Sequence, residues 1–364
     1  MYPDHMVNDN PHPDERPSSR GLIGHAFSAS CGRLFLGACR LAVFFLTLAW
    51  LVNGCAAGET IRLAVQKTGT FSWELAVLKE QGLDHQEDIS LDITEYASPE
   101  AAKIALLGGT ADLILTDWLW VARQRSLGQS LRFVPYSTAL GALLVKPGST
   151  ITDLAALKGK TIAVAGGPLD KSWLLLQAFA QEKNVDIAAE ANVVYGAPSL
   201  LYQKALVGEA DAILNFWNFS VALEAQGFKP LITIQTIEKY LGAQGPVAMV
   251  GYVFRDDFAQ SHAAALNGFL KAAAKAKDIL AHSGSDWEKI AGQGAIEGKV
   301  GLALYRRSYA DGIPHRPVEE EAKDARILYS ALAKAGGEVL TGPAKDFDEQ
   351  TYFNGEIGLT PPGN

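Results

Sequence analysis

The stretch Gly109-Thr110-Ala111-Asp112-Leu113-Ile114-Leu115 returns as Gly208-Glu209-Ala210-Asp211-Ala212-Ile213-Leu214, and this recurrence decides the fold. The two segments lie 99 residues apart. At the same offset, without a gap, Ala64-Val65 meets Ala163-Val164, Tyr96 meets Tyr195, Pro99 meets Pro198, Leu107 meets Leu206 and Trp118 meets Trp217. One spacing held over so long a stretch is the mark of a duplicated unit.

Outward from the motif, each copy reads strand, loop, helix, strand, helix, strand. Residues 61–65 and 161–165 are short apolar runs, followed by helical patterns over 73–81 and 173–182. Strands over 90–96 and 191–195 come next. Pro99 and Pro198 then open helices, where a missing N–H costs least, and Gly108-Gly109 and Gly208 end them. Strands over 112–115 and 211–214 close the units. Two such units predict an α/β protein of two lobes, each a mostly parallel sheet flanked by helices, rather than one long sheet.

Segments 132–145 and 248–254 read as strands long enough to pass between lobes, with hinges at 143–145 and 248–250. The expected organisation is a leader over 1–57, a first part of lobe 1 over 58–142, lobe 2 over 143–247, and a return to lobe 1 over 248–364. Helices over 263–280 and 318–334 belong to that return. The glycine pattern from Gly292 to Gly298 follows no strand and reads as an inter-helix loop, not a phosphate cradle.

The chain has 364 residues, 48% hydrophobic and 20% charged, enough for two lobes with cores. Its first 57 residues hold four Arg against four acidic groups, so the net charge of −8 belongs to the remainder. That balance argues against nucleic acid as a partner, since phosphate binders carry basic patches. Residues 1–20 are rich in Pro, Asp, Asn and Ser and read as an unstructured leader. The apolar run Leu41 to Val52, behind Arg33 and Arg40, reads as a signal-peptide core, shorter than the ~20 residues of a bilayer span. Cleavage after Ala57 is expected; the alternative is a lipid anchor at Cys55, since residues 52–55 resemble a lipobox. Cys31, Cys39 and Cys55 all lie in this leader, so the mature chain has no thiol for a disulfide, metal or nucleophile. His85, His262, His282 and His315 stand at no ligand spacing, and neither a metal nor a cofactor is expected.

In parallel sheets ligands collect beyond the carboxyl ends of strands, where helix N-termini also point. Four loops qualify. The first offers Lys67, Thr68 and Thr70 before Trp73, and its repeat partner offers Gly167, Asp170, Lys171 and Ser172 before Trp173. The others carry Thr116, Asp117, Trp118 and Trp120 in one copy, and Asn215, Trp217 and Asn218 in the other. Trp118 and Trp217 either clamp a flat ligand from opposite lobes or pack in the cores. Asp117 either meets an N–H or cation or caps its helix. Arg123 and Arg125 form a solvated face, or one of them stacks on the ligand. Ser137 and Thr138 reach a ligand from the hinge side or mark a bend, and Tyr195, equivalent to Tyr96, stands behind the ligand. Five of the seven Trp lie at these loops beside Lys67 and Lys171. They point to a planar anionic organic solute, such as an aromatic sulfonate, a heteroaromatic carboxylate or a quinone cofactor like pyrroloquinoline quinone; a small inorganic anion or alkyl sulfonate is the rival.

The order and spacing of Ala105 to Leu113, Thr152 to Val164, Ala205 to Ala212, and Phe258 opening a long helix carry a family resemblance over residues 60–335. The chain resembles the nitrate/sulfonate/taurine group of periplasmic substrate-binding proteins, with the type II two-lobed fold. The resemblance implies a monomer that captures a small-molecule ligand between lobes and closes on it. It also implies delivery to an ABC permease with a cytoplasmic ATPase, membrane contact only through that permease or a lipid anchor, and no catalysis. Pyrimidine-synthesising relatives carry a cysteine-rich iron motif that the mature chain lacks, and a sensor would need a signalling domain that no segment supplies.

Overall fold

The computed structural model of the protein describes residues 58–66, 69–96, 98–290 and 299–355. The leader, Cys55, Lys67, Thr68 and the glycine-rich loop at 292–298 lie outside the described residues. The chain forms β1 (Glu59–Gln66), α1 (Phe71–Glu80), β2 (Ile89–Tyr96), α2 (Pro99–Leu107), β3 (Leu113–Asp117), α3 (Trp118–Ser126) and β4 (Leu131–Ser137). It continues through β5 (Ala142–Val145), β6 (Thr161–Ala165), α4 (Lys171–Glu182), β7 (Asn192–Gly196), α5 (Pro198–Leu206) and β8 (Ala212–Leu214). Then come α6 (Trp217–Ala225), β9 (Lys229–Thr233), α7 (Ile234–Tyr240) and β10 (Val250–Arg255). After them lie α8 (Ala263–His282), α9 (Gly284–Ile290), α10 (Lys299–Asp311) and α11 (Val318–Thr341).

The repeated motif has a structural cause. Gly109 and Gly208 take φ of 73° and 79°, a left-handed conformation open to glycine at little cost, and so turn the chain out of α2 and α5. The aspartate that follows ties the third strand of each copy to the first. Asp112 Oδ2 accepts from the Arg62 amide at 2.9 Å, and Asp211 Oδ2 accepts from the Thr161 amide at 3.1 Å. Each aspartate N–H donates back to the carbonyl of the same residue, at 2.8 and 2.9 Å. Burial would raise the Asp112 carboxyl, but the Arg62 guanidinium more than offsets it and holds it below the usual range.

Two five-stranded sheets result, ordered β2-β1-β3-β10-β4 and β7-β6-β8-β5-β9. The first three strands of each are parallel; β10 and β5 are antiparallel to both their neighbours. Each antiparallel strand is delivered by the chain arriving from the other lobe, so the lobes are joined by crossings at residues 138–141 and 241–249.

The single strand expected over 132–145 is therefore two strands in different sheets. Thr138 breaks it, because its amide and Oγ1 both donate to the Gly312 carbonyl, at 2.8 and 3.2 Å, instead of to a strand. The hinge expected at 143–145 falls inside β5, and the crossing lies just before it. Gly141 packs so closely that a Cβ there would stand 1.7 Å from the Asn215 carbonyl oxygen. Gly141→Ala is expected to cost about 1–3 kcal/mol by overpacking, read as a lower denaturant midpoint; an unchanged midpoint would show that this crossing has slack.

The last long helix also departs from expectation. Rather than returning to lobe 1 alone, α11 packs on α4 of the second lobe and on α3 of the first. Ala325, Leu328, Tyr329 and Leu332 form its buried stripe, at 0–2% exposure. Among the described residues no helix is long and apolar enough to cross a membrane.

Candidate ligand cleft

The carboxyl ends of the parallel strands bring the two lobes into contact. Lys171, the first residue of α4, places Nζ 3.6 Å from Asp117 Oδ2 at the end of β3. Trp217, the first residue of α6, meets Trp73 of α1 edge-on with centroids 6.0 Å apart. Tyr305 and Tyr309 of α10 flank the same indole at 6.1 and 6.5 Å. On the crossing side, Gln235 Nε2 donates to the Thr138 carbonyl at 3.1 Å.

Two of the four helix N-termini at these ends, those of α3 and α4, are occupied by their own carboxylates, while those of α1 and α6 carry no side-chain cap. Asp117 caps α3 by accepting from the Trp120 amide at 2.8 Å, and Asp170 caps α4 by accepting from Ser172 and Trp173 at 3.0 and 3.3 Å. At α3 and α4 the amides that would hold an anion are thus already engaged. Burial pushes the Asp170 carboxyl above its ordinary value against the opposing pull of Lys171. Burial acts on Asp117 in the same direction, but Lys171, Lys103 and the Trp120 amide outweigh it and keep that carboxyl low. Lys171 is disfavoured by burial yet held above its usual range by Asp117 and Asp170. Asp117 and Asp170 therefore share Lys171 at the centre of the contact, and Lys103 also acts on Asp117.

The tryptophan clamp does not form. Trp118 is fully buried and packs against Phe347 and Tyr329 at 5.4 and 6.5 Å, because the C-terminal segment and α11 cover that face of α3. Trp173 is buried, with Tyr195 at 6.4 Å, and Trp73 is buried between Trp217, Trp287 and Tyr305. These three are core residues. Asn215 is buried and spent on structure, its Nδ2 donating to the Pro198 carbonyl and its Oδ1 accepting from the Phe216 amide. Thr138 belongs to the crossing, Thr116 is buried in β3, and Ser137 Oγ accepts from the Ala139 amide. Thr70 Oγ1 lies 3.4 Å from the Tyr136 hydroxyl, and Lys103 Nζ sits over the half-buried Trp120 ring at 5.4 Å. Gly167, Ser172 and Asn218 are half-buried, while Tyr195 is exposed. Arg125 is neither a solvated charge nor a ligand group: it binds Asp348, Gln350 and the Leu131 carbonyl, anchoring the C-terminal segment.

Sequence reading missed a buried polar centre behind this cleft. Glu74 on α1 accepts from Tyr252, Tyr309 and Lys277, and Lys277 Nζ lies over the Tyr136 ring at 3.7 Å. The signal was there: Glu74 sits three residues after Phe71 and four before Leu78, on the apolar face of its helix. A groove of about 480 Å³ between α5, α6 and α10 was also missed; its lining includes Ser199, Gln203, Phe219 and Gln226, and among the described residues no charged side chain. Among the described residues, the charged groups between the lobes lie at the strand ends and not in this groove.

Residues 74–283, more than half of the chain, match the family model described as NMT1/THI5 like. No curated protein matches the chain. Among solved structures, the periplasmic aliphatic sulphonate binding protein SsuA from Escherichia coli aligns at TM-score 0.61 and 21% identity, covering 79% of this chain and 95% of that one. The alkanesulfonate-binding protein SsuA from Xanthomonas axonopodis pv. citri, bound to MOPS, aligns at 0.60 and 18%, covering 82% and 99%. The desulfurization enzyme DSZB aligns at 0.53 and 13%, covering 76% and 92%. At these identities the structures share the two-lobed fold.

Proposed function

The chain belongs to the NMT1/THI5-like family, and on that premise we propose that it is the substrate-binding subunit of an ABC importer. In this reading it is a periplasmic clamp that captures a small solute between its lobes and passes it to a permease with a cytoplasmic ATPase. The observation that carries the reading is the Lys171–Asp117 contact, which brings the helix start after β6 of one lobe against the end of β3 of the other, beside the only two crossings among the described residues. Capture without chemistry fits the residues at hand. After residue 57 the chain has no cysteine, and the described residues contain no His, Cys, Asp and Glu cluster able to hold a metal.

The planar anionic class, quinone cofactors included, draws no support from Trp118, which is core, or from the N-termini of α3 and α4, which are capped. Two carboxylates around Lys171 favour a small organic solute, such as an amine or a nitrogen heterocycle, that presents N–H donors or positive charge. The rival is a sulfonate or nitrate that draws Lys171 away from Asp117, a reading favoured by the sulfonate-binding neighbours. Asp117→Asn is expected to weaken a donor-bearing solute by about 1.5–3 kcal/mol, or roughly 10- to 150-fold, in calorimetric titration. The same change should tighten an anion by freeing Lys171. Tight binding of an alkanesulfonate to the unaltered protein, improved by Asp117→Asn, would establish the rival; failure of every small solute to bind would remove the binding-protein reading itself.

A further inference from the structure

The second crossing, residues 241–249, lies on α11 through hydrogen bonds that involve its own backbone. Asp324 Oδ2 accepts from the amides of Gln244 and Gly245 at 3.0 and 3.1 Å, and Glu321 Oε1 accepts from the Ala248 amide at 3.0 Å. Arg316, just ahead of α11, pairs with Asp324 at 2.8 Å and donates to the Pro246 carbonyl at 3.2 Å. The fit is tight: a Cβ on Gly245 would stand 2.7 Å from the Arg316 guanidinium carbon. Because α11 also packs on both α3 and α4, it acts as a strap across the joint between the lobes.

Under that strap lies an acidic layer that the solute cleft does not use. Glu238, on α7 just before the crossing, is 1% exposed, and neither of its carboxyl oxygens has a hydrogen-bond partner among the described residues. Among the described residues, the fully buried Glu321 has no partner for Oε2, and the buried Tyr352 hydroxyl has none either. The charged groups that act on this layer are Asp324 and Arg316, with Glu320 4.0 Å from Arg316; Tyr352 adds a neutral hydroxyl. One guanidinium thus faces three buried carboxyls, two more than it can neutralise. Two ionised carboxylates, three of whose four oxygens have no hydrogen-bond partner among the described residues, are not tolerated in such a site, whereas two protonated ones are.

We propose that Glu238 and Glu321 form a proton-operated latch on the second crossing: protonated, they let residues 241–249 lie bound to α11, and ionised, they repel each other and Asp324 and release it. The surrounding pH then sets how readily the lobes part. Burial, only partly relieved by the Ala248 amide and Arg316, pushes the Glu321 carboxyl up to about 7. Burial pushes Glu238 well above the carboxylate range, opposed by the nearby Val247 amide, with Glu321 and Asp324 adding to the upward effect. Both shifts are upward, so the latch is fully engaged below the ordinary carboxylate pKa and is lost as pH rises through about 7.

Hydrogen exchange on the full chain without solute tests this independently of what the cleft binds. Once the base-catalysed rise of intrinsic exchange is removed, protection at the Gln244, Gly245 and Ala248 amides should fall roughly 10-fold or more between pH 6 and pH 8.5, while β1 and β6 keep theirs. Glu321→Gln and Glu238→Gln each replace an ionisable group by a neutral one of the same shape, and each should flatten the profile. Should one variant fold poorly, the other and the unaltered protein still decide the matter. Protection that does not change with pH, or that falls equally in the folded glutamine variants, overturns the latch.

Discussion

Glu74→Ala is expected to lower folding stability by about 3–5 kcal/mol, the cost of leaving a buried charge without its partner. Glu74 is fully buried on the first turn of α1 and accepts from Tyr252 of β10, Tyr309 of α10 and Lys277 of α8. One carboxylate therefore ties a helix, a sheet strand and two C-terminal helices into lobe 1. Burial alone drives Lys277 below its ordinary value, and Glu74 is the group that opposes this. Without Glu74 the lysine must stay charged in a dry site or give up its proton, and the Tyr252 and Tyr309 hydroxyls lose their acceptor. A double change, Glu74→Leu with Lys277→Met, should recover much of the loss, because neither a lone charge nor an orphaned ammonium remains. Urea unfolding of the single and double variants reads both terms. A single variant within 1 kcal/mol of the unaltered protein would mean that water reaches this centre freely.

Trp118→Ala should cost a similar amount, about 3–5 kcal/mol, and yet leave solute affinity nearly unchanged. The indole is fully buried between Phe347 and Tyr329, so its removal opens a cavity beneath the C-terminal segment rather than at the contact between Lys171 and Asp117. Trp217→Ala is the contrasting change. It removes the contact of α6 with Trp73 and the α10 tyrosines, which joins the two lobes, and should weaken closure on the solute more than it weakens the fold. Denaturant midpoints beside calorimetric titration separate the two. If Trp118→Ala kept its stability and lost the solute, the aromatic clamp would have to be restored.

The repeat made the lobes legible. Strand and helix order, the proline starts of α2 and α5, and the glycine exits at Gly109 and Gly208 follow from local chemistry, and the aspartate of the motif performs the same strand-tying bond in both copies. Equivalence in sequence did not extend to equivalent surroundings, however. Trp118 and Trp217 stand at matching positions, but α11 and Phe347 cover the first while α10 meets the second. Nothing in the repeat announces this asymmetry, because the covering segments lie outside it.

What the sequence by itself determined is therefore the fold class, the duplicated strand order and the loops that stand at strand ends, since these depend on residue periodicity and on the conformational preferences of Gly and Pro. Only the tertiary structure decided which side chains reach a solute and where the chain crosses between lobes. Lys171 meets Asp117, Glu321 holds the Ala248 amide, and Thr138 binds Gly312 across 54, 73 and 174 positions of sequence respectively. Such partners are set by how packed lobes and straps come together, and burial then fixes the charge each group can carry.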